Sequence, residues 1–445
     1  MTSTHDLVAA RSRLLGPSLS VSYRTPLHIV RGEGAYLYDA DGRAYLDCVN
    51  NVAHVGHAHP RVVEAGVAQM RLLNTNTRYL HELVLRYAER LTALLRHDLE
   101  ICYFVNSGSE ANELALRLAR TATGRPDVAT VEVAYHGNTQ RLIEISPYKF
   151  AGPGGAGKRP DVHVVPLPDG YRGRHRGADR STAESYLAEA REVLAVAVAT
   201  GHAPGAVIAE AIPSVAGQVV PPDGWLPGLF DIGRAVGAVP IADEVQVGFG
   251  RVGVDWWAFG PQGAVPDIVT MGKPIGNGHP LGAVVTTRAI ADAFANGMEY
   301  FNTFGGNPVS AAIGLAVLDV VEEEGLRERA RVTGERLLAG LRELADRHEA
   351  IGDARGIGLF LGLELVRDRA TREPDPELAR ELANRAAERG VLLSTDGPFH
   401  NVMKIKPPLV FSDADATLLV ETVDAILTEM APMAARGGET SIASG

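Results

Sequence analysis

Two charged residues, thirty positions apart, have the types and the setting for chemistry. Asp243 closes the apolar run AVPIAD, and Lys273 closes a second run, DIVTMGK, between Gly272 and Pro274. Both runs have the length and apolar content of buried strands. In a parallel sheet, ligands gather where the strands end. Taken singly, Asp243 reads as a cap on the next segment and Lys273 as a solvated surface amine. As a pair they suggest more. A carboxylate beside a pyridine nitrogen keeps that nitrogen protonated. A lysine holds an aldehyde as an imine and later shuttles a proton.

Other segments supply what such a ring would need. The strand ICYFVN runs through Ser107-Gly108-Ser109 into a helix starting near Glu110. Gly108 permits close backbone approach, Ser109 can cap the helix, and N–H groups at a helix start favour a phosphate. A capped helix alone explains the same residues. Tyr135 and His136 follow the strand TVEV, where an aromatic side chain can stack on the ring; in isolation a core aromatic is commoner. Glu210 closes the strand VIAE, and Gln246 lies three residues after Asp243, within reach of a ring hydroxyl.

These residues need a scaffold of strands and helices. Apolar strand-like segments recur from DVATVEV through APGAVIAE, AVPIADE, DIVTMGK and GAVVTT, with helical stretches between some of them. That alternation predicts a largely parallel sheet covered by helices. Before it, LHIV, AYLYD and AYLDCV read as a small sheet with turns at Arg31-Gly32 and Asp41-Gly42. Residues 147–176, rich in Gly, Pro, Lys and Arg, read as a long excursion over one face. Beyond residue 306, two helices, the short strands GLFLGLELV and NVMKIKPPLVF, and two more helices form a separate lobe. The expected division is residues 1–60 as an N-terminal part of the small domain, 61–305 as the large domain, 306–435 as the C-terminal small domain, and 436–445 as a flexible tail.

The chain has 445 residues, enough for more than one core. A net charge of -11 gives no footprint for nucleic acid. Two cysteines, Cys48 and Cys102, indicate neither a disulfide framework nor a metal-binding spacing. No run approaches a membrane span, and the N-terminus lacks the pattern of a secretory signal. The expected location is therefore the cytoplasm, with no metal and no membrane partner.

With its motifs in this order, the chain resembles the class III, ω-type aminotransferases of the fold type I pyridoxal-phosphate superfamily, from about Leu27 to about Ile426. The resemblance is carried by Ser107-Gly108-Ser109-Glu110-Ala111-Asn112, Tyr135-His136-Gly137, Asp243 through Arg251, and Lys273 in its glycine-rich stretch. It implies a mainly parallel seven-stranded sheet in a large domain, with a smaller α+β domain drawn from both termini. It implies pyridoxal 5′-phosphate held as a Schiff base on Lys273, with Asp243 on the pyridine nitrogen. Ser107, Gly108 and Ser109 would form the phosphate cup and Tyr135 would stack on the ring. His136, Glu210, Val245 and Gln246 would complete the pocket. Thr303 would reach the cofactor phosphate of the other subunit, which implies a homodimer; a pairing of dimers into a tetramer stays open.

Gly276-Asn277-Gly278-His279-Pro280, Met298 through Phe304, and Lys404-Ile405-Lys406-Pro407-Pro408 are similar to the ethanolamine-phosphate and phosphohydroxylysine phospho-lyases. That resemblance implies elimination of phosphate from an aminoalkyl phosphate, giving an aldehyde, ammonia and inorganic phosphate. The alternative is amino transfer to pyruvate or another keto acid. Elimination needs a second phosphate site. Arginine and lysine suit it, and the candidates are Tyr23, Arg24, Arg78, Lys149, Lys404 and Lys406, with Asn51 and His54 in a nearby loop. Lys404 and Lys406 alternate on a strand, so their side chains point the same way. A solvated surface residue is the ordinary reading of each basic candidate.

Overall fold

The computed structural model describes residues 3–96 and 98–437, with side chains described to residue 430. Of the expected tail, residues 436 and 437 end the last helix, and 438–445 lie outside the described residues.

The N-terminal strands are β1 (Ile29–Glu33), β2 (Tyr36–Asp39) and β3 (Ala44–Asp47). The turn at Asp41-Gly42 forms, with Gly42 at φ +86° and its N–H on Asp39 O. The turn expected at Arg31-Gly32 does not. Those two residues pair with Tyr38 and Leu37 inside the ladder, and the chain reverses at Gly34, φ +56°. Gly34 reaches the left-handed region without a Cβ penalty and takes the corner instead.

Seven strands make the main sheet: β4 (Leu99–Val105), β5 (Val128–Val131), β6 (Val162–Val165), β7 (Ala206–Glu210), β8 (Val239–Asp243), β9 (Ile268–Met271) and β10 (Gly282–Thr287). Their order is β4-β10-β9-β8-β7-β5-β6. β10 runs antiparallel to both neighbours, and the pairs from β9 to β6 are parallel. The four central strands β5, β7, β8 and β9 are buried throughout, which is why they read as unbroken apolar runs. β6 lies inside the segment read as a loop excursion. Only four residues long, with His163 within it and prolines on both sides, it carries too weak a pattern to stand out.

The C-terminal lobe holds β11 (Ile351–Ile357), β12 (Phe360–Asp368), β13 (Glu373–Pro374), β14 (Val391–Leu392), β15 (Ser394–Asp396) and β16 (Val402–Ile405). One sheet has the order β11-β12-β16-β15, and β13 pairs with β12. β14 instead pairs in parallel with β3, which joins the two ends of the chain into one small sheet. The architecture is thus a large α/β domain with smaller sheets from both termini. Among the described residues, no helix is long and apolar enough to cross a membrane.

Candidate active site

β7 and β8 are in register, with Glu210 opposite Asp243, so two buried carboxylates share one sheet edge. Lys273 follows β9 in a short 3-10 turn. Together they line a cavity of about 320 Å³.

Asp243 is held by three donors. Its Oδ2 accepts from His136 Nδ1 at 2.8 Å and Asn112 Nδ2 at 2.7 Å, and its Oδ1 accepts the Val245 N–H at 3.1 Å. Buried carboxylates are tolerated when hydrogen-bonded in this way. Glu210 has fewer partners. Its Oε2 accepts the Ser214 N–H at 3.0 Å, while Oε1 is buried without a hydrogen bond. Burial pushes its carboxyl up to about 7, and Asp243 adds to the effect.

Lys273 sits at φ +33°, a backbone region that non-glycine residues rarely occupy. Burial lowers the pKa of its ammonium, against the opposing pull of Asp243 and Glu210. A lysine so placed is closer to a usable base than a surface lysine.

At the other end of the cavity the backbone closes on itself. The helix Gly108–Thr123 starts with Ser107 as its cap, whose Oγ accepts the Glu110 N–H at 3.1 Å. A Cβ on Gly108 would lie 2.6 Å from Val245 Cγ1. One on Gly137, at φ +142°, would lie 2.5 Å from Leu142 Cδ1 and 2.6 Å from Ser109 Oγ. Ser109 Oγ accepts the Asn138 N–H at 3.0 Å. The result is a glycine-floored cup at a helix N-terminus, suited to an anion. Tyr135 lines the wall between cup and carboxylates, with its ring edge-on to Tyr148 at 6.3 Å.

A flat pyridine with a phosphate arm fits this seat. The cup suits the phosphate, Asp243 suits a protonated ring nitrogen, and the unpartnered Glu210 Oε1 leaves a polar position at the wall.

The expected substrate residues divide. Gln246 lines the cavity; its Oε1 accepts from Asn51 Nδ2 at 2.9 Å and lies 3.5 Å from Lys406 Nζ. Lys406 is buried and also reaches Ser214 Oγ at 3.0 Å, and both Lys404 and Lys406 lie 3.3 Å from Asp396. Lys149 Nζ stands 5.5 Å from the Tyr135 ring centre, as a cation over the cavity wall. Tyr23 donates to Leu393 O, and burial raises its phenol pKa.

Three residues are placed elsewhere. Arg24 is exposed and paired with Glu381 and Glu388. His54 is fully buried, with Nε2 2.6 Å from Phe249 O and Nδ1 3.3 Å from Arg251 Nη2, and both the burial and the arginine hold its pKa down. It has no ring nitrogen to offer a substrate. Arg78 is exposed, ion-paired with Glu299 at 3.1 Å and stacked on Phe301. Thr303, expected at the other subunit's cofactor rather than at this chain's own, is exposed and lines no part of this cavity.

Comparison with protein families matches residues 19–427 to aminotransferase class-III. The chain belongs to the class III aminotransferase family. An alanine–glyoxylate aminotransferase 2-like protein of Drosophila melanogaster is 48% identical, over 99% of this chain and 93% of that protein. An ethanolamine-phosphate phospho-lyase homologue of Caenorhabditis elegans is 42% identical, over 96% of this chain and 94% of that protein. Among solved structures, an Arthrobacter phospholyase in complex with phosphoethanolamine superposes with a TM-score of 0.90 at 41% identity, covering 95% of this chain and 99% of that one. Several further similar structures are transaminases.

Within this class III site, three contributors went unassigned in the sequence reading. Asn112 stands one turn past Gly108, and its inward position at i+4 was legible in the motif SGSEAN. Ser214 and Asp396 had no such signal, because their partners lie 192 and 10 residues away in other elements.

Proposed function

We propose that this class III enzyme binds pyridoxal 5′-phosphate and eliminates phosphate from an aminoalkyl phosphate such as phosphoethanolamine. When bound, the cofactor supplies an electron sink for negative charge on the carbon that carries the substrate amine. Lys273 is the residue to hold it and then to act as base at that carbon. Asp243, fixed by His136 and Asn112, keeps the pyridine nitrogen protonated. Loss of phosphate and addition of water convert phosphoethanolamine to acetaldehyde, ammonia and inorganic phosphate.

The observation that carries elimination is the lysine pair. Lys406 Nζ lies 3.5 Å from Oε1 of the cavity residue Gln246, Lys404 shares Asp396 with it, and among the described residues no arginine lines the cavity. A keto-acid partner needs a carboxylate seat of the kind an arginine fork supplies, whereas a lysine ammonium serves a phosphate as a point charge, as an arginine also can. The phospholyase and phospho-lyase relatives support the same reading.

Amino transfer to a keto acid is the second reading, and the larger number of relatives speaks for it. It uses the same Lys273, Asp243 and glycine cup. The two part at their products. With cofactor present and keto acid absent, elimination releases inorganic phosphate and ammonia from phosphoethanolamine in equal amounts. Absence of phosphate release from both phosphoethanolamine and phosphohydroxylysine would overturn elimination and leave amino transfer.

We also propose that the active unit is a homodimer. Leu72, Tyr79, Leu80, Met298 and Phe304 are all largely exposed, more apolar surface than scattered single residues explain.

A further inference from the structure

The motif Gly276-Asn277-Gly278-His279-Pro280 divides its work between two side chains. Asn277 is structural. Its Oδ1 accepts the Val55 N–H at 2.9 Å and its Nδ2 donates to Gly56 O at 2.9 Å, which ties the loop after Lys273 to the N-terminal segment. His279 lines the cavity, as Pro280 and Leu281 do. The chain then enters β10 at Gly282, which pairs with Val105 and on which a Cβ would lie 2.7 Å from Ser107 O. His279 therefore belongs to the end of the cavity that holds the glycine cup.

A run of hydrogen bonds fixes which nitrogen of His279 carries the proton. Asn307 caps the helix Pro308–Glu323, its Oδ1 accepting the Ser310 N–H at 2.9 Å. Its Nδ2 is left to donate to Phe304 O at 2.6 Å and to Ser310 Oγ at 2.7 Å. Ser310 is buried, and its hydroxyl has one proton to give. Among the described residues its acceptor is His279 Nε2, at 2.8 Å. With Nε2 an acceptor, a neutral ring carries its proton on Nδ1. Burial favours that neutral ring. Nδ1 has no hydrogen-bond partner among the described residues, and it is not one of the polar atoms sealed in without one. It is an accessible, unused donor on a residue of the cavity wall.

We propose that His279, held in the Nδ1–H form by Ser310 and Asn307, is a neutral donor to a phosphate oxygen bound in this cavity. Two phosphates answer to that chemistry: the cofactor's, in the adjoining cup, and the substrate's. The first is independent of the choice between elimination and amino transfer, and the second rests on the elimination reading.

Nitrogen NMR of the cofactor-loaded enzyme with isotope-labelled histidine reads the tautomer directly, the His279 signals being assigned by their loss in His279→Asn. The expected pattern is a bare Nε2 and a protonated Nδ1. A protonated Nε2 with a bare Nδ1 overturns the proposal. Ser310→Ala removes the hydroxyl and should move the ring toward the Nε2–H form. Binding then identifies the acceptor. An asparagine side chain puts its amide N–H near the place of Nδ1, whereas glutamine puts it near Nε2. His279→Gln should therefore weaken phosphate binding at least about tenfold, the loss of a hydrogen bond to a charged group, and His279→Asn should keep most of the affinity. Refilling the cofactor-free enzyme with pyridoxal phosphate and with pyridoxal separates the two sources. A loss for pyridoxal phosphate but not for pyridoxal assigns the cofactor's phosphate. A loss confined to inorganic phosphate, titrated onto the cofactor-loaded enzyme, assigns the substrate's. No loss in either titration overturns the proposal, as does equal weakening for pyridoxal and its phosphate. If pyridoxal phosphate binding falls in His279→Gln while the wild type releases no phosphate from phosphoethanolamine, the elimination reading fails and His279 keeps its role. If release proceeds and neither titration changes, the His279 assignment fails alone.

Discussion

At the residue scale, the site depends on what surrounds two groups. Lys273 is useful because burial lowers its pKa, and Asp243 is useful because three donors hold it in place. Replacing Lys273 by Ala removes both the anchor and the base; kcat should fall by at least about a thousandfold, and borohydride should no longer fix the cofactor to the peptide that contains position 273. His136→Ala leaves one Asp243 oxygen short of a donor. A hydrogen bond to a charged group contributes about 1.5–3 kcal/mol, so cofactor affinity should weaken roughly tenfold or more by equilibrium titration. Glu210 gives a pH test. Its pKa is raised from 4.5 to about 7, so the stability tied to its protonated form is complete below pH 4.5 and is lost as pH rises through about 7. Glu210→Gln mimics that protonated form. Cofactor-free Glu210→Gln should exceed the wild type by less than about 1 kcal/mol at pH 5 and by roughly 3 kcal/mol at pH 8 in denaturant unfolding. An equal difference at both pH values would refute the burial account.

At the element scale, the strands that carry the chemistry were the easiest to read. β7, β8 and β9 are buried on both faces, so their apolar runs end visibly at Glu210, Asp243 and the Gly272-Lys273 junction. The glycine cup was legible for a different reason: Ser107-Gly108-Ser109 sits where a strand turns into a helix. Other elements were hidden. β11 reads IGDARGI, with two glycines and two charges in seven residues, and it is a strand because its charges are consumed by partners. Arg355 pairs with Asp353 and with Glu364 on β12, and donates to Gly217 O. Such pairings link residues up to 138 positions apart and leave no local pattern. Asp396 and Ser214 were hidden likewise, and His54 misled because a histidine in a polar loop looks functional until its burial is known. Gly137→Ala tests the cup: at φ +142°, with a Cβ 2.5 Å from Leu142, it should weaken cofactor binding more than tenfold while the circular dichroism spectrum stays the same.

At the scale of the whole molecule, the N-terminal strands and the C-terminal lobe meet through β14 and β3, and Lys404 on β16 of that lobe shares Asp396 with Lys406, whose ammonium lies 3.5 Å from the cavity residue Gln246. On the proposed reading the substrate's phosphate would be met from the C-terminal lobe, while Asp243, Glu210 and Lys273 stand at the edge of the main sheet, with Val52 of the N-terminal segment also lining the cavity. The exposed apolar residues from Leu72 to Leu80 and from Met298 to Phe304 predict twice the chain mass in sedimentation, and Leu80→Asp should shift that population toward the monomer. The central claim, elimination rather than transfer, is tested most directly by counting turnovers. With cofactor-loaded enzyme, excess phosphoethanolamine and no keto acid, elimination predicts phosphate release that continues far beyond one equivalent per active site. A reaction that stops at one equivalent or less, and resumes only when pyruvate is added, would contradict it.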